Sequence, residues 1–139
     1  MTTTAFFDTN VLVYTDDTRF PQKQTRAIEL VTLHRRAGSM FISLQVLQEY
    51  YNTATRKLGV DPVIAQKKVE LLSQEKIVRF TETDVVASIE LHRLHQISFW
   101  DAMIIHAARI AKVGVLYSED LGHGTTIAGV RIRNPFLET

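Results

Sequence analysis

The chain has 139 residues, 45% of them hydrophobic and 22% charged, with a net charge of +1 and no cysteine. These values suit one folded domain over residues 1–139 that buries a core without staples, and they exclude disulfides, a thiolate metal site and extensive disorder. No basic leader precedes an apolar stretch, and no run nears the roughly 18 apolar residues of a membrane span, so a cytoplasmic location without a membrane partner is expected.

In chain order, the first apolar run, Ala5, Phe6 and Phe7, reads as a strand over 3–8 that Asp8 ends. A helical pattern at 22–37 leads to a second strand, "MFIS", at 40–43. The next helix, 44–58, sets Leu44, Leu47, Tyr51, Ala54 and Leu58 at spacings of three and four, one apolar stripe. Roughly opposite that stripe, at about 100° per residue, lies Glu49, sharing a face with Asn52, Thr53 and Arg56. Further helices at 62–75, 83–96 and 99–112 alternate with strands at 77–80, 114–118 and 130–133, and the three prolines fall between or after these segments. Short apolar strands alternating with helices predict an α/β fold with a mostly parallel central sheet, whose ligands bind beyond the carboxyl ends of the strands.

Charge is unevenly distributed. Residues 19–60 hold seven Lys and Arg, among them Arg19, Lys23, Arg56 and Lys57, against Glu29 and Glu49; residues 61–90 hold six acids and four bases. A locally basic face of this kind meets either solvent or a polyanion.

Four acids are candidates for chemistry. Asp8 ends the first strand, where it serves either as a turn or cap residue or as a ligand. Asp120 follows "VLYSE" beyond a later strand, at the same sheet edge if the two strands are parallel. Asp101 is more informative: Ile105 and Ala108 lie within roughly 40° of it around the helix axis, so the acid begins the apolar stripe. Ser98, three residues earlier, makes a capping-box-like start there, which accounts for the position of the acid but not for its apolar face. Glu49 is either an ordinary solvated glutamate or the border of a polar cleft. Carboxylates from four segments that converged on one point would repel one another unless a cation neutralised them, and all-oxygen donors select a hard ion such as Mg²⁺ or Mn²⁺.

The stretches "FFDTNVLVY" at 6–14, "SLQVLQEYY" at 43–51, "FWDAMIIHAA" at 99–108, "LYSEDLGHG" at 116–124 and "GVRIRNPF" at 129–136 together resemble PIN-domain ribonucleases, and among them the VapC-type toxins of bacterial toxin–antitoxin pairs. The resemblance spans essentially the whole chain. It implies a three-layer α/β/α sandwich with a parallel sheet of four or five strands. It further implies an acidic metal pocket of Asp8, Glu49, Asp101 and Asp120, supported by Asn10 and Ser118, with Asp120 rather than Glu119 pointing inward. A homodimer neutralised by a small antitoxin is implied as well.

The resulting expectation is a Mg²⁺- or Mn²⁺-dependent endoribonuclease in which the four acids hold the metal and Arg19, Lys23, Arg56 and Lys57 grip flanking phosphates of the RNA. The five histidines read as surface or core residues, with His123 the one that could stand beside the pocket. A phosphoacceptor receiver fits poorly, because the first strand carries a single acid and no Lys directly follows the late strand. A haloacid-type phosphatase wants a second acid where the chain has Asn10. The alternative from another class is a non-catalytic RNA- or protein-binding module on the same fold.

Overall fold

A computed structural model describes residues 2–137; Met1, Glu138 and Thr139, part of the domain expected over 1–139, lie outside the described residues. The elements are β1 (Ala5–Phe7), α1 (Thr9–Tyr14), α2 (Pro21–Ala37), β2 (Met40–Ser43), α3 (Leu44–Arg56), α4 (Pro62–Leu72), β3 (Lys76–Val78), α5 (Glu82–His95), α6 (Phe99–Ala111), β4 (Val115–Tyr117), β5 (Thr126–Ile127) and β6 (Val130–Arg133). The strand order is β3-β2-β1-β4-β6-β5. The first five of these strands run parallel, as expected, and β5 adds an antiparallel edge to β6. Positive φ at both Ala128 (52°) and Gly129 (81°) gives the β5–β6 hairpin a two-residue turn that follows the strand twist.

From β1 the chain steps outward through β2 to β3, then returns to the other side of β1 as β4. Right-handed crossovers therefore put α1–α4 on one face of the sheet and α5–α6 on the other, which makes the three layers. Every residue of β1 is buried, as a central strand covered on both faces requires. Phe7 meets His34 of α2 edge-on at 5.4 Å, while Phe6, on the opposite face, joins Ile105 of α6 in the core. Ala102–Ala108 of α6 are all buried, because this helix lies against the sheet with α5 over it.

The apolar stripe of α3 differs from the one expected. Val46, Leu47, Tyr50 and Ala54 are buried, whereas Leu44 and Tyr51 are exposed. The helix packs against α1 and α4 as well as β2, and those neighbours rotate its buried face toward Val46 and Tyr50. Glu49 consequently borders the buried side instead of lying opposite it. The Tyr50 hydroxyl sets this rotation by donating 2.6 Å to Asp16 just after α1, and Lys68 of α4 donates to the same carboxylate at 3.1 Å. Tyr50→Phe leaves Asp16 without its buried donor, and is expected to lower the unfolding free energy by about 1–3 kcal/mol in a urea titration. A loss smaller than about 0.5 kcal/mol would show that Lys68 alone holds the three helices in register.

Candidate active site

The strand order reverses beside β1, so the carboxyl ends of β1 and β4 flank the switch point where α/β sheets bind their ligands. Asp8 leaves β1 there. Its backbone N–H completes the sheet ladder on the Tyr117 carbonyl at 3.0 Å, and its Oδ1 caps α1 by accepting the Thr9 N–H at 2.7 Å. The cap role and a site role therefore coexist in one side chain. The other oxygen, Oδ2, accepts from Ser118 Oγ at 2.8 Å and from Asn10 Nδ2 at 3.3 Å. Ser118 is fully buried just past β4, and Asn10 bridges onward to Asp120 Oδ2 at 3.1 Å. The Asn10 Oδ1 accepts the Glu119 backbone N–H at 3.2 Å, which fixes the amide between the β1 and β4 loops.

Two helices deliver the remaining acids to this edge. Glu49 of α3 accepts from Thr9 Oγ1 at 2.6 Å and from Gln45 Nε2 at 3.1 Å. Gln45 also reaches the Trp100 carbonyl at 3.4 Å, tying α3 to the start of α6. There Ser98 caps the helix by accepting the Asp101 N–H at 3.0 Å, and the half-buried Asp101 stands in the first turn. The sequence places Thr9 beside Asn10 where the chain turns at the site, but neither its bond to Glu49 nor the part of Gln45 is among the expectations. The D-T-N run and the four-residue spacing to Glu49 were the signals available for them.

Burial and crowding disfavour the charged forms here. Asp8 is only 7% exposed, and desolvation pushes its carboxyl from the ordinary 3.8 to about 6; Ser118 and Thr9 pull it down, while Glu49 and Asp101 add repulsion. Asp101 is raised chiefly by desolvation, lowered by Ser98, and raised further by Asp120 and Glu49. Asp8 thus feels Glu49 and Asp101, and Asp101 feels Glu49 and Asp120. None of them has a Lys, Arg or His ion-pair partner among the described residues, although Asp16, Asp17, Glu75, Asp84 and Glu119 all do.

The PIN domain model matches residues 5–124. The chain belongs to the PIN domain family. No curated protein matches it by sequence. Among solved structures, a toxin–antitoxin complex from Klebsiella pneumoniae superposes with a TM-score of 0.68 at 21% identity, covering 95% of this chain and 98% of that one. VapC20 of Mycobacterium tuberculosis, described as a sarcin-ricin loop cleaving toxin, gives 0.64 at 18%, covering 84% and 90%. A DNA-bound VapBC from Salmonella typhimurium gives 0.65 at 20%, covering 96% and 99%. At these identities the likeness is one of fold.

Within this PIN domain the adjacent acids Glu119 and Asp120 part company. Glu119 turns to Tyr14, whose hydroxyl donates to it at 2.7 Å, and to the Lys23 ammonium, while Asp120 faces Asn10. Lys23 is thus committed to Glu119. Arg19 and Lys57 line a cavity that begins at Thr9 and Asn10; Arg56 is exposed on α3 and does not line it. His123 accepts the Asn134 N–H at 3.0 Å and borders a separate depression with Arg131 and Arg133, so it does not join the acids.

The donor chemistry fits a hard divalent cation: four carboxylates, one strongly desolvated, and no resident positive charge to offset them. As the side chains stand, no three His, Asp or Glu groups among the described residues are gathered to hold an ion. Hydrogen bonds hold Glu49 on Thr9 and Gln45, and Asp120 on Asn10.

Proposed function

We propose that this protein is an endoribonuclease of the VapC type, the toxin of a type II toxin–antitoxin pair, hydrolysing RNA phosphodiester bonds with Mg²⁺ or Mn²⁺. The observation that supports this reading is that Asp8, Glu49 and Asp120 are linked at the switch point through Thr9 and Asn10, that Asp101 lies in the first turn of α6, which Gln45 ties to α3, and that none of the four has a basic partner among the described residues. Asp8 and Asp101 would be the principal metal ligands, with Glu49 and Asp120 completing the set. When bound, such an ion polarises the phosphoryl group and lowers the pKa of a water. The chain's own part is positional. Ser118 and Asn10 orient Asp8 and Asp120, Thr9 and Gln45 orient Glu49, and Ser98 fixes the turn that presents Asp101. Arg19 and Lys57, with Arg56 further along α3, are the cations available to flanking RNA phosphates; Lys23 acts there only by leaving Glu119.

Residues 1–139 act as one nuclease domain in this reading. The partners in this reading are RNA, a second copy of the chain and a small antitoxin, the last by analogy with the toxin–antitoxin complexes that share the fold. A cytoplasmic site of action accords with such pairs, and no described helix is long and apolar enough to cross a membrane.

Purified protein is expected to cut RNA in Mg²⁺ or Mn²⁺, to stop in EDTA and to resume when either ion is returned in excess. Cleavage that persists in EDTA would remove the metal mechanism. RNA binding without cleavage under any divalent ion would favour the non-catalytic module instead.

A further inference from the structure

Beside the acids, a cavity of about 430 Å³ opens between α1 and the end of α3. Its mouth is shared with the active edge, because Thr9 and Asn10 belong to both. Its interior is divided by chemistry. Val13, Phe20 and Leu58 supply apolar surface, and Arg19 and Lys57 stand at the charged end. The volume lies toward the lower end of small-molecule sites and leaves room for one nucleotide rather than a duplex.

Two features go beyond a chance hollow. Phe20 is 44% exposed for so large an apolar ring, yet it is held in place: Tyr14 meets it edge-on at 5.9 Å. The Arg19 guanidinium carbon lies 5.4 Å from its ring centre and the Lys23 ammonium 5.7 Å. Both cations lie over the ring, and the part of Phe20 that stays exposed beside them is the surface open to an unpaired base, which aromatic and Arg groups hold together in single-strand sites. The second feature is the aim of Arg19. Asp17, only 4% exposed, takes the Arg19 Nε–H and one Nη2–H at 2.9 Å each, and its Oδ1 also accepts the Arg19 backbone N–H at 3.2 Å. A guanidinium has five N–H donors, so both on Nη1 and one on Nη2 are left for an anion. Lys57, exposed and without an acidic ion-pair partner among the described residues, adds a second positive charge.

We propose that this cavity is a base-binding subsite for the unpaired ribonucleotide next to the scissile phosphate, with Phe20 as the stacking platform and Arg19 as a phosphate clamp preset by Asp17. The assignment rests on the RNA-cleaving reading for its placement next to a scissile bond, but nucleotide binding itself does not require cleavage. It makes the substrate single-stranded at that position, since a paired base cannot lie on an aromatic ring. It also makes Phe20 and Arg19 determinants of where the RNA is cut.

The test has a binding arm and a cleavage arm. Without divalent ions, the four ribonucleoside 5′-monophosphates are titrated into the whole chain at low salt, and cut sites are mapped on a random-sequence RNA in Mg²⁺. Phe20→Ala is expected to weaken mononucleotide binding by about 5- to 150-fold and to flatten the base preference at one position beside the cut. Phe20→Trp should restore both, and Arg19→Gln should weaken monophosphates while sparing the corresponding nucleosides. If the wild type binds nucleotides through Phe20 yet never cuts RNA, the subsite stands and the nuclease reading falls. If metal-dependent cleavage is present but Phe20→Ala leaves binding and cut-site preference unchanged, the subsite is overturned. The cavity would then be a seat for a protein side chain.

Discussion

If the protein is the metal-dependent ribonuclease proposed above, Asp8→Asn and Asp101→Asn are each expected to reduce Mg²⁺-dependent RNA cleavage by roughly 10³-fold or more while the protein stays folded. The expected size follows from the several kcal/mol of transition-state charge stabilisation that a bound divalent ion supplies, with each 1.4 kcal/mol worth about a factor of ten. Asn keeps the shape of Asp but removes the negative charge that would hold the ion. Its cost in the surrounding hydrogen bonds is confined to one long contact, from Asn10 Nδ2 to Asp8 Oδ2. At Asp8, the amide oxygen can still cap Thr9 and the Ser118 hydroxyl can turn from donor to acceptor, while the 3.3 Å bond from Asn10 Nδ2 is lost because two NH₂ groups would then face each other. At Asp101 the cap is made by Ser98 to the backbone N–H and does not use the carboxylate. A purely structural role therefore predicts little change in either variant, whereas the ligand role predicts near-complete loss in both. Isothermal titration with Mn²⁺ gives a second readout that needs no substrate, and the heat of binding should fall with activity. Cleavage by both variants within tenfold of the wild type would remove them from the metal pocket.

The strands that build the site were legible because they are short apolar runs. β2 and β6 fall at 40–43 and 130–133 as read from their side chains, and β1, β3 and β4 each lie within about two residues of the expected bounds. The sequence offered α1 only as a short helix for Asp8 to cap and β5 not at all, since six and two residues are too few to show a period. Asp101 was also legible, since its place at the head of an apolar stripe is a local property of α6. Glu49 was not placed correctly on its helix. Both Tyr50 and Tyr51 suit an apolar stripe, and only the Asp16 acceptor from another segment makes Tyr50 the buried one. The basic residues carry the same lesson. Lys23 and Glu119 pair across 96 positions, and no pattern along the chain could separate Lys23 from Arg19. Asp17 binding Arg19 only two residues away is a local contact, yet its consequence depends on the cavity that α1 and α3 enclose.

In the absence of divalent cation, Asp8→Asn is expected to be more stable than the wild type at pH 7.5, by about 1–3 kcal/mol, and the difference should shrink as pH falls through 6 and vanish at about pH 3. The folded protein raises the Asp8 carboxyl from 3.8 to about 6, mainly by burying it. Between those values the folded state holds the proton that the unfolded state has released, so stability falls as pH rises through the window. Above it the ionised group destabilises the fold by about 3 kcal/mol, which Asn does not incur. Well below pH 3.8 the wild-type side chain is neutral in both states and the advantage of Asn is gone. Other groups titrate over the same range. His34 is buried and its pKa lowered, so its contribution to stability is lost as pH falls below 6.5, opposite in sign to that of Asp8. Asp17 and Asp84 are lowered, chiefly by Arg19 and by the Thr81 backbone N–H, and lose their contributions only at more acidic pH. These effects are common to both proteins and cancel in the difference between their melting curves at each pH. Adding Mg²⁺ then reverses the order. Ion binding stabilises the folded wild type by mass action and removes the repulsion around Asp8, while the variant, short of a ligand, gains little. A metal-free Asp8→Asn protein less stable than the wild type at pH 7.5 would mean that the capping and Ser118 hydrogen bonds outweigh the desolvation. The buried acid would then be a structural anchor rather than a charge waiting for its cation.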